Sequence, residues 1–155
     1  MNKKKNIAII TSATNKTDLI EWSYFNKDVL NKHDILALGS AANILEGTLN
    51  KKVNMSGQGK TGELAALRNL IENNKIDAVI VFLDAEEFMH NSGLLSITEA
   101  AIKNNIIMAA NRTTADFVIN SKLIDNEYKI NLDEKKIANK NSFAEPKNYP
   151  LAKAS

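Results

Sequence analysis

Cysteine is absent from the 155 residues, which excludes disulfides, thiolate metal sites and a cysteine nucleophile. Histidine occurs only twice, at His33 and His90, too seldom for a histidine-built centre, so neither a metal nor another cofactor is expected. The two prolines both fall near the end, at Pro146 and Pro150. Charge of one sign is lacking too: 20 Lys+Arg against 18 Asp+Glu leave +2, which argues against a nucleic acid polymer as partner. Long apolar runs are missing as well. Ile7-Ala8-Ile9-Ile10, after Met-Asn-Lys-Lys-Lys, is too short for a signal peptide or a membrane span, so the cytoplasm is the expected compartment and no membrane contact is expected. What is present is an ordinary globular composition, 44% hydrophobic and 25% charged, in a length that suits one domain.

Apolar runs alternate with helical patterns. Residues 6–11 read as a buried strand, and Leu19, Trp22, Phe25, Val29 and Leu30 predict one amphipathic helix over 16–31. A second strand over 34–38 ends at Gly39, and Ser40 is a fair N-cap for a helix through Ile44, Leu45 and Leu49. A weaker strand over 52–55 precedes the glycine-rich Ser56–Gly62, and a helix follows with Leu64, Leu67, Leu70 and Ile71 on one face. Residues 76–83, IDAVIVFL, have the near-continuous apolar character of a central parallel strand buried on both faces. A loop over 84–93, a helix carrying Leu94, Leu95, Ile97, Ala101 and Ile102, a strand over 105–109 and a helix over 113–121 complete the pattern. The expected fold is α/β: three layers, an open parallel sheet of about five strands with helices on both faces. Residues 1–130 are expected to form the domain, and 131–155, polar and aperiodic, an arm or a disordered tail.

In such a sheet, ligands bind beyond the carboxyl ends of the strands, where helix N-termini present free N–H groups. The segments there are Thr11–Lys16, Gly39–Asn43, Ser56–Gly62, Asp84–Gly93 and Asn111–Thr114, rich in hydroxyls and glycines with a few basic side chains. That mixture suits a small phosphorylated molecule, although the same residue types also cap helices. Gly59-Lys60-Thr61 suggests a P-loop, but the motif requires glycine at position 54, where Asn54 stands.

Assembled, residues 6–121 resemble the methylglyoxal synthase family. The most specific match is Asn111-Arg112-Thr113-Thr114-Ala115-Asp116-Phe117, similar to the family's N-x-x-T-A-D-F. Ser56-Gly57, Lys75-Ile76-Asp77, Asp84 and the placement of His90 ahead of Asn105-Ile106 match as well. The resemblance implies a metal-free, cofactor-free lyase that converts dihydroxyacetone phosphate to methylglyoxal and phosphate, assembled as a trimer or hexamer. It places Lys16 on the phosphate and Ser12 where the family has a histidine. Leu38, Gly39, Ser40 and Ala41 stand at a threonine-rich phosphate-binding turn, and Ser56 and Gly57 at the next phosphate-contacting pair. His90 takes the place of the catalytic histidine, and Lys136 loosely that of an arginine.

The chain also departs from the family. Its glycine-rich segment is longer and lacks the family's catalytic aspartate, so that Glu63 is the only nearby carboxylate, and a second acidic position after the histidine is Gly93. Losing a catalytic base typically costs about 10²–10⁴-fold in rate, but a glutamate can abstract a carbon-bound proton. Two readings stay open at this stage. One is a lyase with Glu63 as base and His90 as proton shuttle; the other is a degenerate module that binds a phosphorylated or nucleotide ligand without turnover.

Overall fold

Branched side chains on both faces make Asn6–Thr11 (β1) a strand that only the middle of a sheet can bury, and there it lies. The computed structural model describes residues 3–55 and 59–128. After β1 come α1 (Lys16–Phe25), α2 (Lys27–Leu30), β2 (Asp34–Gly39) and α3 (Ala41–Leu49). They are followed by β3 (Asn54–Met55), α4 (Gly59–Glu72), β4 (Ala78–Phe82) and α5 (Ala85–Met89). The last described elements are α6 (Ser92–Asn104), β5 (Ile107–Ala109) and α7 (Arg112–Ile119). The strands form one sheet in the order β3-β2-β1-β4-β5, every pair parallel, as the alternation of runs predicts.

Parallel pairing forces each strand to return through a crossover, and the crossovers cover both faces. On one face Ile7, Ile9, Ala37 and Ile80 meet Leu19, Trp22, Leu45 and Ile119 from α1, α3 and α7. On the other, Ala8, Ile10, Val79 and Val81 meet Leu67 and Ile71 of α4 and Leu94 and Ile97 of α6. The β4 residues are buried throughout, as IDAVIVFL requires. No helix among the described residues is long and apolar enough to cross a membrane.

Two elements differ from expectation. The helix over 16–31 breaks at Asn26, whose side-chain amide donates to Trp22 O at 2.9 Å and to Asp116 Oδ1 at 3.3 Å. An asparagine that bonds the backbone locally competes with helix continuation. The break separates two aromatic residues of one apolar stripe: Trp22 is buried against Phe82, ring centroids 5.2 Å apart, while Phe25 faces outward, 77% exposed. The loop over 84–93 contains α5, a short helix with no buried residue, which leaves no apolar period to read.

The other end of the sheet is closed by His33, which is 1% exposed. Its Nδ1 accepts the Lys5 N–H at 3.0 Å, so the neutral ring carries its proton on Nε2, 3.4 Å from Asp125 Oδ1. Burial lowers its pKa below the ordinary 6.5, with the charge of Asp125 opposing that shift. In the unfolded chain His33 takes up a proton as pH falls past the ordinary value, while the folded chain resists it. This contribution to stability is therefore complete above that value and is lost as pH falls toward the folded-state pKa. Thermal melts from about pH 7.5 to about pH 5.5 should show Tm falling with pH. His33→Asn, which keeps an acceptor for the Lys5 N–H but does not titrate, should flatten that slope.

Candidate active site

The strand order reverses direction at β1: the chain moves outward through β2 and β3, then crosses back to β4. At such a reversal the general rule for open α/β sheets puts the ligand crevice, beyond the carboxyl ends of β1 and β4. Thr11 pairs with Gly39 on one side and Phe82 on the other, and its Oγ1 donates to Phe82 O at 3.1 Å. Ser12, Lys16, Gly39, Ser40, Asp84 and His90 all follow these strand ends, so the fold gathers sequence-distant candidates at one rim.

On the β2 side the rim is made of backbone. Gly39 has φ +63°, and a Cβ there would lie 2.5 Å from Thr11 O. Only glycine lets β2 approach β1 this closely while turning into α3. Ser40 N–H closes the ladder on Thr11 O at 3.3 Å, and Ser40 takes the N-cap position without a side-chain capping bond. Leu38 and Ala41 are buried, so these two candidates can offer a ligand only backbone groups. Lys16 is exposed at the first position of α1. Ser56 and Gly57, like Lys136, lie outside the described residues.

Between β1 and β4 a polar network bridges the crevice. Ser12 Oγ and Thr14 Oγ1 are 2.9 Å apart, and both contact the Asn15 side-chain amide. With that amide turned to satisfy its neighbours, its nitrogen donates to Asp84 Oδ1 and its oxygen accepts the Asp84 N–H, each at 3.2 Å. Asn15 is thus a positioning residue that sequence reasoning left aside. The only signal for it was its place in a polar strand-end segment.

The acid–base candidates come from two helices. Glu63, on α4, reaches across to the rim, where its Oε2 accepts the Gly39 N–H at 3.2 Å. His90 follows α5, exposed, with Nδ1 2.8 Å from Glu86 O. A carbonyl oxygen only accepts, so Nδ1 holds the proton and the neutral ring keeps its Nε2 lone pair for a ligand. Asp84, Glu86 and Glu87 line the same shallow depression as His90, which makes the β4 side acidic while the β2 side offers N–H groups. Gly93 packs against α4, where a Cβ would lie 2.6 Å from Leu64 Cδ1, so an acidic side chain at 93 would displace Leu64. Among the described residues no group of three or more His, Asp or Glu could hold a metal ion.

Asn111–Phe117 serves the frame. Asn111 Oδ1 accepts from Thr114 N at 2.8 Å and from Thr114 Oγ1 at 2.9 Å, capping α7. Arg112 bonds Glu21 at 2.7 Å and Asp18 at 3.3 Å, tying α7 to α1.

No family model matches the chain. Curated methylglyoxal synthases from Coxiella burnetii (strain RSA 493 / Nine Mile phase I) and Yersinia enterocolitica are 33% and 32% identical to it, covering 80% and 82% of this chain and 87% and 84% of theirs. A crystal structure of methylglyoxal synthase from Elizabethkingia anophelis NUHP1 matches with a TM-score of 0.73 and 29% identity, over 83% of this chain and 85% of that one.

The role of Gly39 is testable by stability alone. Gly39→Ala should lose on the order of 2 kcal/mol or more in urea unfolding, from left-handed strain plus the clash with Thr11 O. Gly47→Ala, at a helical position where a Cβ meets nothing within 4 Å, should not.

Proposed function

The chain belongs to the methylglyoxal synthase family, and from that premise we propose that it is a lyase converting dihydroxyacetone phosphate to methylglyoxal and phosphate. The observation that carries the reading is the 3.2 Å contact between Glu63 Oε2 and the Gly39 N–H, which sets a carboxylate beside the β2–α3 turn although the family's aspartate is missing.

In this reading the substrate phosphate lies on the β2 side, against the backbone of Gly39–Ala41, with Lys16 and Ser12 beside it. The carbon skeleton extends toward the β4 side. Glu63 takes a proton from the hydroxymethyl carbon, and the electron pair moves onto the carbonyl to give an enediol phosphate. His90, neutral and with Nε2 available, moves a proton between the oxygens. The carbon–oxygen bond to phosphate then breaks. Inorganic phosphate leaves, stabilised by the N–H groups that held it, and the remaining enol tautomerises to methylglyoxal. The bonds of Asn15 to Asp84 keep the β1 and β4 loops in register for this alignment.

Purified protein incubated with dihydroxyacetone phosphate should release methylglyoxal and phosphate in equal amounts. Glu63→Gln should lower kcat about 10²–10⁴-fold without loss of phosphate binding, and His90→Ala should lower kcat as well. Lys16→Ala should raise KM roughly tenfold with Tm unchanged, since an exposed ammonium contributes to the anion and little to the fold. A wild type that binds phosphate but releases no methylglyoxal would leave the binding-module reading in its place.

We also place the protein in the cytoplasm and propose a homo-oligomer, trimer or hexamer. Phe25 and Phe117, each 77% exposed, line one groove between α1 and α7 and form an apolar surface for such a contact. Light scattering at micromolar concentration should give three or six times the 17.1 kDa chain mass; a monomer would refute the assembly.

A further inference from the structure

We infer that Glu63 is an internal competitor for the phosphate site: its carboxylate occupies the Gly39 N–H while the site is empty, and an arriving phosphate takes that N–H and displaces the carboxylate from it. The inference rests on reading the β2–α3 turn as the place where phosphate binds.

The geometry leaves this amide unusually placed. At the end of β2 it is Ser40 N–H that closes the ladder on Thr11 O, at 3.3 Å. The Gly39 N–H instead donates to Glu63 Oε2 at 3.2 Å, a bond between β2 and the helix on the opposite side of the glycine-rich segment. Gly39 sits immediately ahead of α3, whose first free N–H groups and dipole favour an anion at the same end. The left-handed backbone at φ +63° fixes the direction of that N–H, and no residue with a Cβ could hold it there against Thr11 O. A carboxylate oxygen and a phosphate oxygen are both anionic acceptors. Two such groups sharing one donor at hydrogen-bond distance repel each other strongly, so occupancy by one excludes the other.

Two consequences follow for the chemistry. Phosphate affinity is held below what the turn alone would give, because each binding event must displace a charge-assisted hydrogen bond. Displacement of Glu63 from Gly39 is also coupled to arrival of the phosphate, so the carboxylate leaves that amide when the substrate's anchoring group is in place. A triose without phosphate leaves Glu63 held on Gly39, which favours phosphorylated over unphosphorylated substrate beyond the direct contacts to the phosphate.

The test uses inorganic phosphate as the probe and the full chain. Phosphate is titrated into wild type, Glu63→Ala and Glu63→Gln, with calorimetry for affinity and the Gly39 amide resonance as the local reporter. Glu87→Ala, which removes an equal charge from α5, is the control, and Tm establishes that each variant is folded. The expected result is a shift of the Gly39 amide in wild type, phosphate binding roughly tenfold tighter in Glu63→Ala, a smaller tightening in Glu63→Gln, and none in Glu87→Ala. An unmoved Gly39 amide, unchanged or weaker binding in Glu63→Ala, or equal tightening in Glu87→Ala would each overturn the inference. Should Glu63→Ala fail to fold, the comparison of Glu63→Gln with Glu87→Ala decides alone. Wild-type turnover of dihydroxyacetone phosphate is assayed in parallel. Its absence, together with tighter phosphate binding in Glu63→Ala, would remove the lyase reading and leave the competition standing.

Discussion

The pairing of β1 with both β2 and β4 is the constraint on which the rest of the molecule depends. Six registered positions on the β2 side and five on the β4 side hold one short strand between two others. With both edges bonded and both faces covered, β1 has no freedom to slip, because a shift of one residue would exchange Ile7 and Ile9 with Ala8 and Ile10 across the two cores. That register sets Thr11 level with Gly39 and Phe82. Every candidate group at the rim is positioned from that line, whether through a turn, a side-chain network or a helix that starts just beyond it.

The rim so produced is electrically divided. Backbone N–H groups lie toward β2, and carboxylates gather beyond β4 around His90. Glu63, a carboxylate, lies on the β2 side, where its bond to Gly39 ties α4 to the rim.

Much of the fold was legible in the sequence because it depends on local periodicity. IDAVIVFL reads as a doubly buried strand without knowledge of its neighbours, and Leu67 and Ile71 are spaced for one face of a helix. Asn26 was not legible as a break, since the apolar stripe runs through it and its stabilising partner Asp116 belongs to the last helix. His33 stands in a turn between α2 and β2. Its burial depends on Lys5 and Asp125, far apart in the chain and brought together only by the sheet. Of the candidate site, the strand-end rule named segments that lie at the carboxyl ends of the strands, and the family resemblance named Lys16, Glu63 and His90 as candidates. Neither could show that Leu38 and Ala41 face inward, that Asn15 clasps Asp84, or that Glu63 rests on Gly39. Those relations cross between loops whose separation the sequence does not encode.

Among the described residues the outermost strands are β3, with two residues, and β5, with three. An open sheet invites association along its edges, where unpaired N–H and C=O groups can template a foreign strand. Edges this short offer only a few such groups each, well below what a stable added strand requires. Among the described residues, such edges leave little backbone for one sheet to join another. The most apolar strands, β1 and β4, thus lie inside the sheet, and the short β3 and β5 border it.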